Sequence, residues 1–78
     1  MDEINKKKLL KILKAAMIEN PETPEVSTSE LEDKLNMEDH ELESYIRDLK
    51  YRGYITYQGS KTFNGQDISI TPKGEKNI

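Results

Sequence analysis

Residues 31–55, together with the hairpin signal and the short motif that follow them, limit the fold of this 78-residue chain more than any other segment. The segment contains two apolar stripes at helical spacing with an interruption between them. An Asn64-Gly65 pair then indicates a β-hairpin, and Ile70-Thr71-Pro72-Lys73-Gly74 ends the pattern. The order predicted is therefore helix, turn, helix and hairpin.

The two helices of this segment are predicted at residues 28–35 and 39–52. Ser27 with Glu30 three residues later has the form of a capping box, in which the hydroxyl accepts a hydrogen bond from a first-turn amide. Gly53 can stop the second helix, because glycine adopts the left-handed conformation common just after a helix. The core stripe of the second helix comprises Leu42, Tyr45, Ile46 and Leu49.

An amphipathic helix is predicted before this segment, over residues 3–19. It ends ahead of Pro21, because the residue before a proline is pushed out of the helical region. A stiff loop at residues 20–25 follows, and Val26 is expected to add one short strand to the hairpin sheet. The apolar side of the helix comprises Leu9, Leu10, Ile12, Leu13, Ala16 and Met17, and the polar side comprises Lys7, Lys8, Lys11 and Lys14.

The register of the hairpin follows if Asn64-Gly65 is a two-residue turn. Phe63 is then opposite Gln66, Lys61 is opposite Ile68 and Gly59 is opposite Ile70. Since side chains alternate along a strand, this register gives one apolar face. The face comprises Ile55, Tyr57, Phe63, Ile68 and Ile70.

Length and composition indicate one small domain over residues 1–78. A chain this short buries only about 60–65% of its unfolded surface, so we expect modest stability. Cysteine is absent, which excludes a disulfide framework and a thiolate metal site. No apolar run is long enough to span a bilayer, and the N-terminus lacks the basic-then-apolar order of a secretory signal. We therefore expect a cytoplasmic protein without membrane association.

The chain resembles the winged helix-turn-helix superfamily, in particular its small archaeal and bacterial regulator-like members. The resemblance implies an α+β winged-helix fold, with a three-helix core and a C-terminal β-hairpin wing. It also implies transcription-regulator-like DNA binding by the second helix of the pair, through His40, Ser44 and Arg47, and by Lys61 in the wing. The matching residues are Leu35-Asn36-Met37, Leu42, Ile46, Leu49, Arg52-Gly53-Tyr54-Ile55 and the Ile70-Thr71-Pro72-Lys73-Gly74 ending.

The charge distribution departs from that of a simple DNA-binding surface. Residues 20–45 contain nine acidic side chains and a single lysine, a net charge of −8, whereas the flanking segments have net charges of +2 and +3. Carboxylates repel phosphate, so they forfeit the counterion release that supplies most non-specific affinity. Duplex contact through later basic residues remains one interpretation: Arg47, Lys50 and Arg52 in the helix, Lys61 in the wing, and Lys73 and Lys76 beyond it.

Two other interpretations account for the same acidity. Acidic residues in a first helical turn interact favourably with the helix dipole and increase solubility. Alternatively, the acidic surface binds a basic partner protein through Glu38, Asp39, Glu41 and Glu43. A monomer or weak dimer is expected, because the chain ends four residues after Gly74, without a long C-terminal dimerisation helix. Ile4 and Ile18 fall on the polar side of the first helix, as frayed-end contacts or one edge of a dimer interface.

Catalysis finds little support in the sequence. His40 is the only histidine, and a pair with Ser44 would lack a third group and oxyanion donors. The four glycines are scattered over turn positions, so no glycine-rich phosphate loop is present. A single histidine without any cysteine argues against a metal site, such as one formed by Asp39, His40 and Glu43. Tyr51, Tyr57 and Phe63 are candidates for stacking on single-stranded bases, whereas Tyr45 and Tyr54 are expected in the core. We therefore expect a non-catalytic binding module.

Overall fold

The fold is α+β, with helices on one side of a small antiparallel sheet. The computed structural model describes residues 3–59 and 66–78, and within them lie four helices and three strands. The elements are α1 (Glu3–Glu19), β1 (Val26–Ser27), α2 (Thr28–Leu35), α3 (Asp39–Tyr51), β2 (Ile55–Gly59), β3 (Gln66–Ile70) and α4 (Pro72–Glu75). The predicted bounds of α1 and α2 are confirmed, and α3 ends one residue earlier than predicted.

Local signals account for the ends of α2 and α3. The Glu30 amide donates to Ser27 Oγ at 3.2 Å, as predicted for the cap of α2. Asn36 ends α2 in the left-handed conformation, with φ of 55°. Gly53 has φ of 80°, so glycine relieves strain at the turn between α3 and β2.

The sheet has the strand order β1-β3-β2, with both pairs antiparallel. Val26 lies opposite Ile68, which confirms the short strand predicted there. Each strand contributes to the buried side of the sheet, because Val26, Ile55, Ile68 and Ile70 are all buried. The sheet therefore closes one side of the core.

The predicted register of the hairpin was wrong by four residues. Gly59 lies opposite Gln66 rather than Ile70. Pairing Ile55 with Ile70 buries both side chains against the helices, and this burial outweighs a local preference for a tight turn. Because the shift is even, Ile55, Tyr57, Ile68 and Ile70 keep the predicted common face. Phe63 and the Asn64-Gly65 pair lie outside the described residues.

The buried apolar side chains form one cluster to which the helices and strands contribute. The core stripe predicted for α3 is buried, and of the apolar side predicted for α1 three leucines are buried while Ile12, Ala16 and Met17 are partly buried. Among the described residues, no helix is both long and apolar enough to cross a membrane. The cluster comprises Leu9, Leu10, Leu13, Val26, Leu31, Met37, Leu42, Tyr45, Ile46, Leu49, Ile55, Ile68 and Ile70.

The C-terminal segment forms a short helix that fastens the end of the sheet to the end of α3. Thr71 is its N-cap: Thr71 Oγ1 accepts a hydrogen bond from the Gly74 amide and donates one to the Gly53 carbonyl at 2.6 Å. The Thr71 amide also donates to the Tyr54 carbonyl at 3.0 Å. These bonds hold the α3–β2 turn in a defined position.

Candidate nucleic-acid interface

The outward face of α3 is the principal surface that the fold presents. The buried stripe of the helix holds its opposite side towards solvent, where four exposed residues follow one another at spacings of i, i+4, i+7 and i+11. We call this set the α3 ridge. Tyr51 at its end is 91% exposed, which is unusual for so large an aromatic side chain. The α3 ridge comprises His40, Ser44, Arg47 and Tyr51.

Polar contacts on the α3 ridge are made within the helix. Arg47 Nη2 lies 3.2 Å from Glu43 Oε2, and the Arg47 side chain remains 78% exposed. His40 Nδ1 lies 3.6 Å from Glu38 Oε2. Ser44 Oγ donates to the backbone carbonyl of His40 at 3.1 Å. The Ser44 hydroxyl therefore bonds the His40 backbone instead of its ring, and this geometry does not assemble a nucleophile and base.

Lys50 lies between the α3 ridge and the sheet. Its ammonium nitrogen is 5.4 Å from the centre of the Tyr57 ring on β2, within the range of a cation–π contact. The contact ties the last turns of α3 to the first strand of the hairpin. Within residues 3–59 and 66–78, no carboxylate lies within 4.0 Å of the Lys50 ammonium group.

Arg52 does not join the α3 ridge. Arg52 Nε lies 2.8 Å from Asp48 Oδ2, and this hydrogen bond raises the pKa of the guanidinium. The Glu3 carboxylate of α1 also acts electrostatically on Arg52. Arg52 is therefore on the flank of α3 that faces α1. Lys61, the predicted wing contact, lies outside the described residues.

The acidic residues predicted for a protein partner gather at the start of α3. Asp39 and Glu41 lie in its first turn, Glu38 is its N-cap, and Glu43 forms an ion pair with Arg47. Acidic side chains there interact favourably with the positive end of the helix dipole. We call this set the acidic rim; it comprises Glu38, Asp39, Glu41 and Glu43.

Glu32 of α2 belongs beside the acidic rim, although the sequence did not identify it. A side-chain hydrogen bond between Glu32 and Asp39 raises the pKa of Glu32, and the negative charges of Asp39 and Asp33 act in the same direction. The proximity depends on the tight turn at Asn36, which no sequence spacing specifies. Among the described residues, no group of three or more histidine, aspartate or glutamate side chains is arranged to hold a metal ion.

No family model, curated protein or solved structure matches this chain. The functional inference therefore depends on the α3 ridge, Lys50 and the acidic rim.

Proposed function

We propose that the protein is a non-catalytic winged-helix module that binds duplex DNA, as transcription regulators do. In this proposal α3 is the recognition helix and the β2–β3 hairpin is the wing. The observation that carries it is the exposed α3 ridge, which stands opposite the buried stripe and has the unneutralised Lys50 next to the first wing strand. A helix presented in this way fits the major groove, with the wing beside the phosphate backbone.

The carboxylates of α3 do not prevent this mode of binding. An exposed ion pair at i, i+4 contributes only about 0.3–0.5 kcal/mol, so Arg47 exchanges Glu43 for a phosphate at little cost. Arg47 and Lys50 lie in the last turns of α3, beyond Glu38, Asp39 and Glu41 of the acidic rim, whereas Glu43 pairs with Arg47. We therefore propose that the later half of α3 and the wing supply most of the affinity, and that His40 and Ser44 lie closest to base edges.

Titration of a short mixed-sequence duplex at low and moderate salt tests the proposal. We expect weak, steeply salt-dependent binding, which Arg47→Ala and Lys50→Ala each weaken by about 3–10-fold while lowering the salt slope by roughly one. Lys34→Ala is the matched control, because it removes one exposed positive charge from α2, outside α3 and the wing. Glu41→Ala should leave affinity unchanged or increase it. Equal affinities for the wild type, Arg47→Ala and Lys50→Ala would reject the proposal.

A basic protein partner is the second candidate, favoured by the carboxylate pair that Glu32 and Asp39 form beside the acidic rim. So dense a negative surface steers a positively charged partner, and salt should slow the association. In a pulldown from the source-cell lysate, Glu38→Lys with Glu41→Lys should lose proteins that the wild type retains. Glu22→Lys with Glu25→Lys makes the same charge change in the loop before β1 and should retain them. Identical recovery with all three baits would contradict this candidate.

A further inference from the structure

The outward face of α1 contains a second basic surface, separate from α3. Leu9, Leu10 and Leu13 face the core, which leaves the lysines on the opposite side of the helix. Four of them occur within eight residues, an axial length of about 10 Å. We call this set the α1 lysine face. It comprises Lys7, Lys8, Lys11 and Lys14, the first three exposed and Lys14 half-buried.

The α1 lysine face makes no close contact with a carboxylate among the described residues. Elsewhere Lys6 pairs with Glu3 at 2.8 Å, Lys34 with Glu30 at 3.3 Å, Arg47 with Glu43 and Arg52 with Asp48. Within residues 3–59 and 66–78, none of the four ammonium groups of the face lies within 4.0 Å of a carboxylate, and Lys7 acts on Glu3 only through a longer electrostatic interaction. No hydrogen-bonded ion pair has to be broken before this face meets an anion.

We propose that the α1 lysine face is a second nucleic-acid-binding surface, which contacts the phosphate backbone without reading bases. Lysine ammoniums are compact point charges that suit phosphate oxygens, whereas base edges are read by bidentate groups. Protein–protein interfaces are depleted in lysine and enriched in arginine and aromatic residues, none of which occurs in α1. A phosphate backbone is therefore the partner that fits this face best.

The two basic surfaces lie on different helices. α1 packs mainly against β3 and α2, whereas α3 packs against α2 and β2. Each basic surface is on the side of its helix away from the common core. Variants of the α1 lysine face therefore change no residue of α3.

Two exposed isoleucines flank the face and define the main competing partner. Ile4 and Ile18 are 67% and 65% exposed, and both are one heptad from Lys11. Lysines together with exposed apolar residues also occur on helices that lie on anionic membranes. Anionic lipid vesicles therefore belong in the test as a second probe.

The experiment compares three variants in a titration of a short mixed-sequence duplex over a range of salt. Lys7→Gln/Lys8→Gln/Lys11→Gln should weaken binding by at least about 10-fold and reduce the salt slope by roughly 2–3, since each phosphate contact contributes about 0.9. Ser29→Glu/Lys34→Glu on α2 has the same net charge as that triple, lies outside every basic surface named above and should bind as the wild type does. Lys7→Arg/Lys8→Arg/Lys11→Arg should also bind as the wild type does, because it keeps the charge. Normal binding by this variant would show that replacing these three side chains leaves α1 folded.

Three outcomes overturn the proposal: no duplex binding by the wild type at low salt, equal losses in the α1 glutamine triple and in Ser29→Glu/Lys34→Glu, or binding to vesicles of anionic lipid but not to duplex. The α3 variants distinguish this proposal from the proposed function. If Arg47→Ala and Lys50→Ala bind normally while the α1 glutamine triple does not, the role of α3 fails and that of α1 stands. If instead the α1 glutamine triple binds normally while Arg47→Ala and Lys50→Ala lose affinity, only the α1 proposal is rejected.

Discussion

At the scale of single residues, Gly74 shows how closely the C-terminal helix is fitted to the turn after α3. The residue is buried, and the space beside its Cα is filled by neighbouring atoms. A Cβ placed there would overlap the Tyr54 carbonyl oxygen and approach Ile70 Cγ1 to 2.8 Å. The Tyr54 carbonyl also accepts the Thr71 amide, so it is not free to move away. Glycine at this position is therefore a packing requirement.

Gly74→Ala should destabilise the protein by about 1–3 kcal/mol, because the added methyl group meets backbone that is held by hydrogen bonds. The measurement is urea or thermal unfolding followed by circular dichroism. Lys76→Ala, two residues later and exposed, is the control and should change stability by less than about 0.5 kcal/mol. A Gly74→Ala protein as stable as the control would show that α4 shifts freely and does not fasten the turn.

At the scale of elements, the turn between α2 and α3 determines the electrostatics of the acidic rim. Asn36 in the left-handed conformation reverses the chain between the two helices, and Met37 is buried next to it. The reversal brings Glu32, near the end of α2, close to Asp39 at the start of α3, and a side-chain hydrogen bond with Asp39 raises the pKa of Glu32. Helix packing thus creates a titrating pair from two acids seven residues apart.

The pH dependence of stability should report this pair. The folded pKa of Glu32 is raised, so above the ordinary glutamate pKa of about 4.3 the folded protein holds a proton that the unfolded chain has released. The stabilisation is present at lower pH and is lost as pH rises through the raised pKa. Glu32→Gln removes this titration while keeping a donor to Asp39, so its stability relative to wild type should improve as pH rises.

Chemical denaturation at a series of pH values between mildly acidic and neutral provides the measurement. Glu22→Gln, in the loop before β1, is the control and should follow the wild type across the series. A difference between Glu32→Gln and wild type that is independent of pH would mean that the two carboxylates do not share a proton.

At the scale of the whole molecule, the fold places the charged residues on distinct surfaces. One apolar cluster is built from the inner sides of the helices and the sheet, which directs the charged residues outward. The charges then fall on distinct surfaces: an unpaired lysine face on α1, an acidic rim at the start of α3, and Arg47 with Lys50 towards its end. A molecule of net charge −3 can therefore present basic surfaces to a polyanion.

The sequence by itself determined α1, α2 and α3 and the core side of these helices and of the hairpin strands, whereas α4 was not predicted. The Ser27 cap, the turn at Gly53 and the apolar stripes are local signals, because a cap or a helical period is complete within a few residues. Even the short strand at Val26 followed from the local pattern. The common face of Ile55, Tyr57, Ile68 and Ile70 survived the wrong register because alternation depends only on the parity of the pairing.

Only the tertiary structure decided which distant groups meet. The hairpin register was decided by the burial of Ile55 and Ile70 against helices far away in the chain, which local turn chemistry does not report. The same holds for the site: Lys50 meets Tyr57, and Glu32 meets Asp39, only after the elements pack. The order of the residues showed that acids and bases are segregated along the chain. The distances between side chains decide which of them neutralise one another. Electrostatic energy depends on those distances and on solvent exposure, so it becomes defined only when the fold is complete.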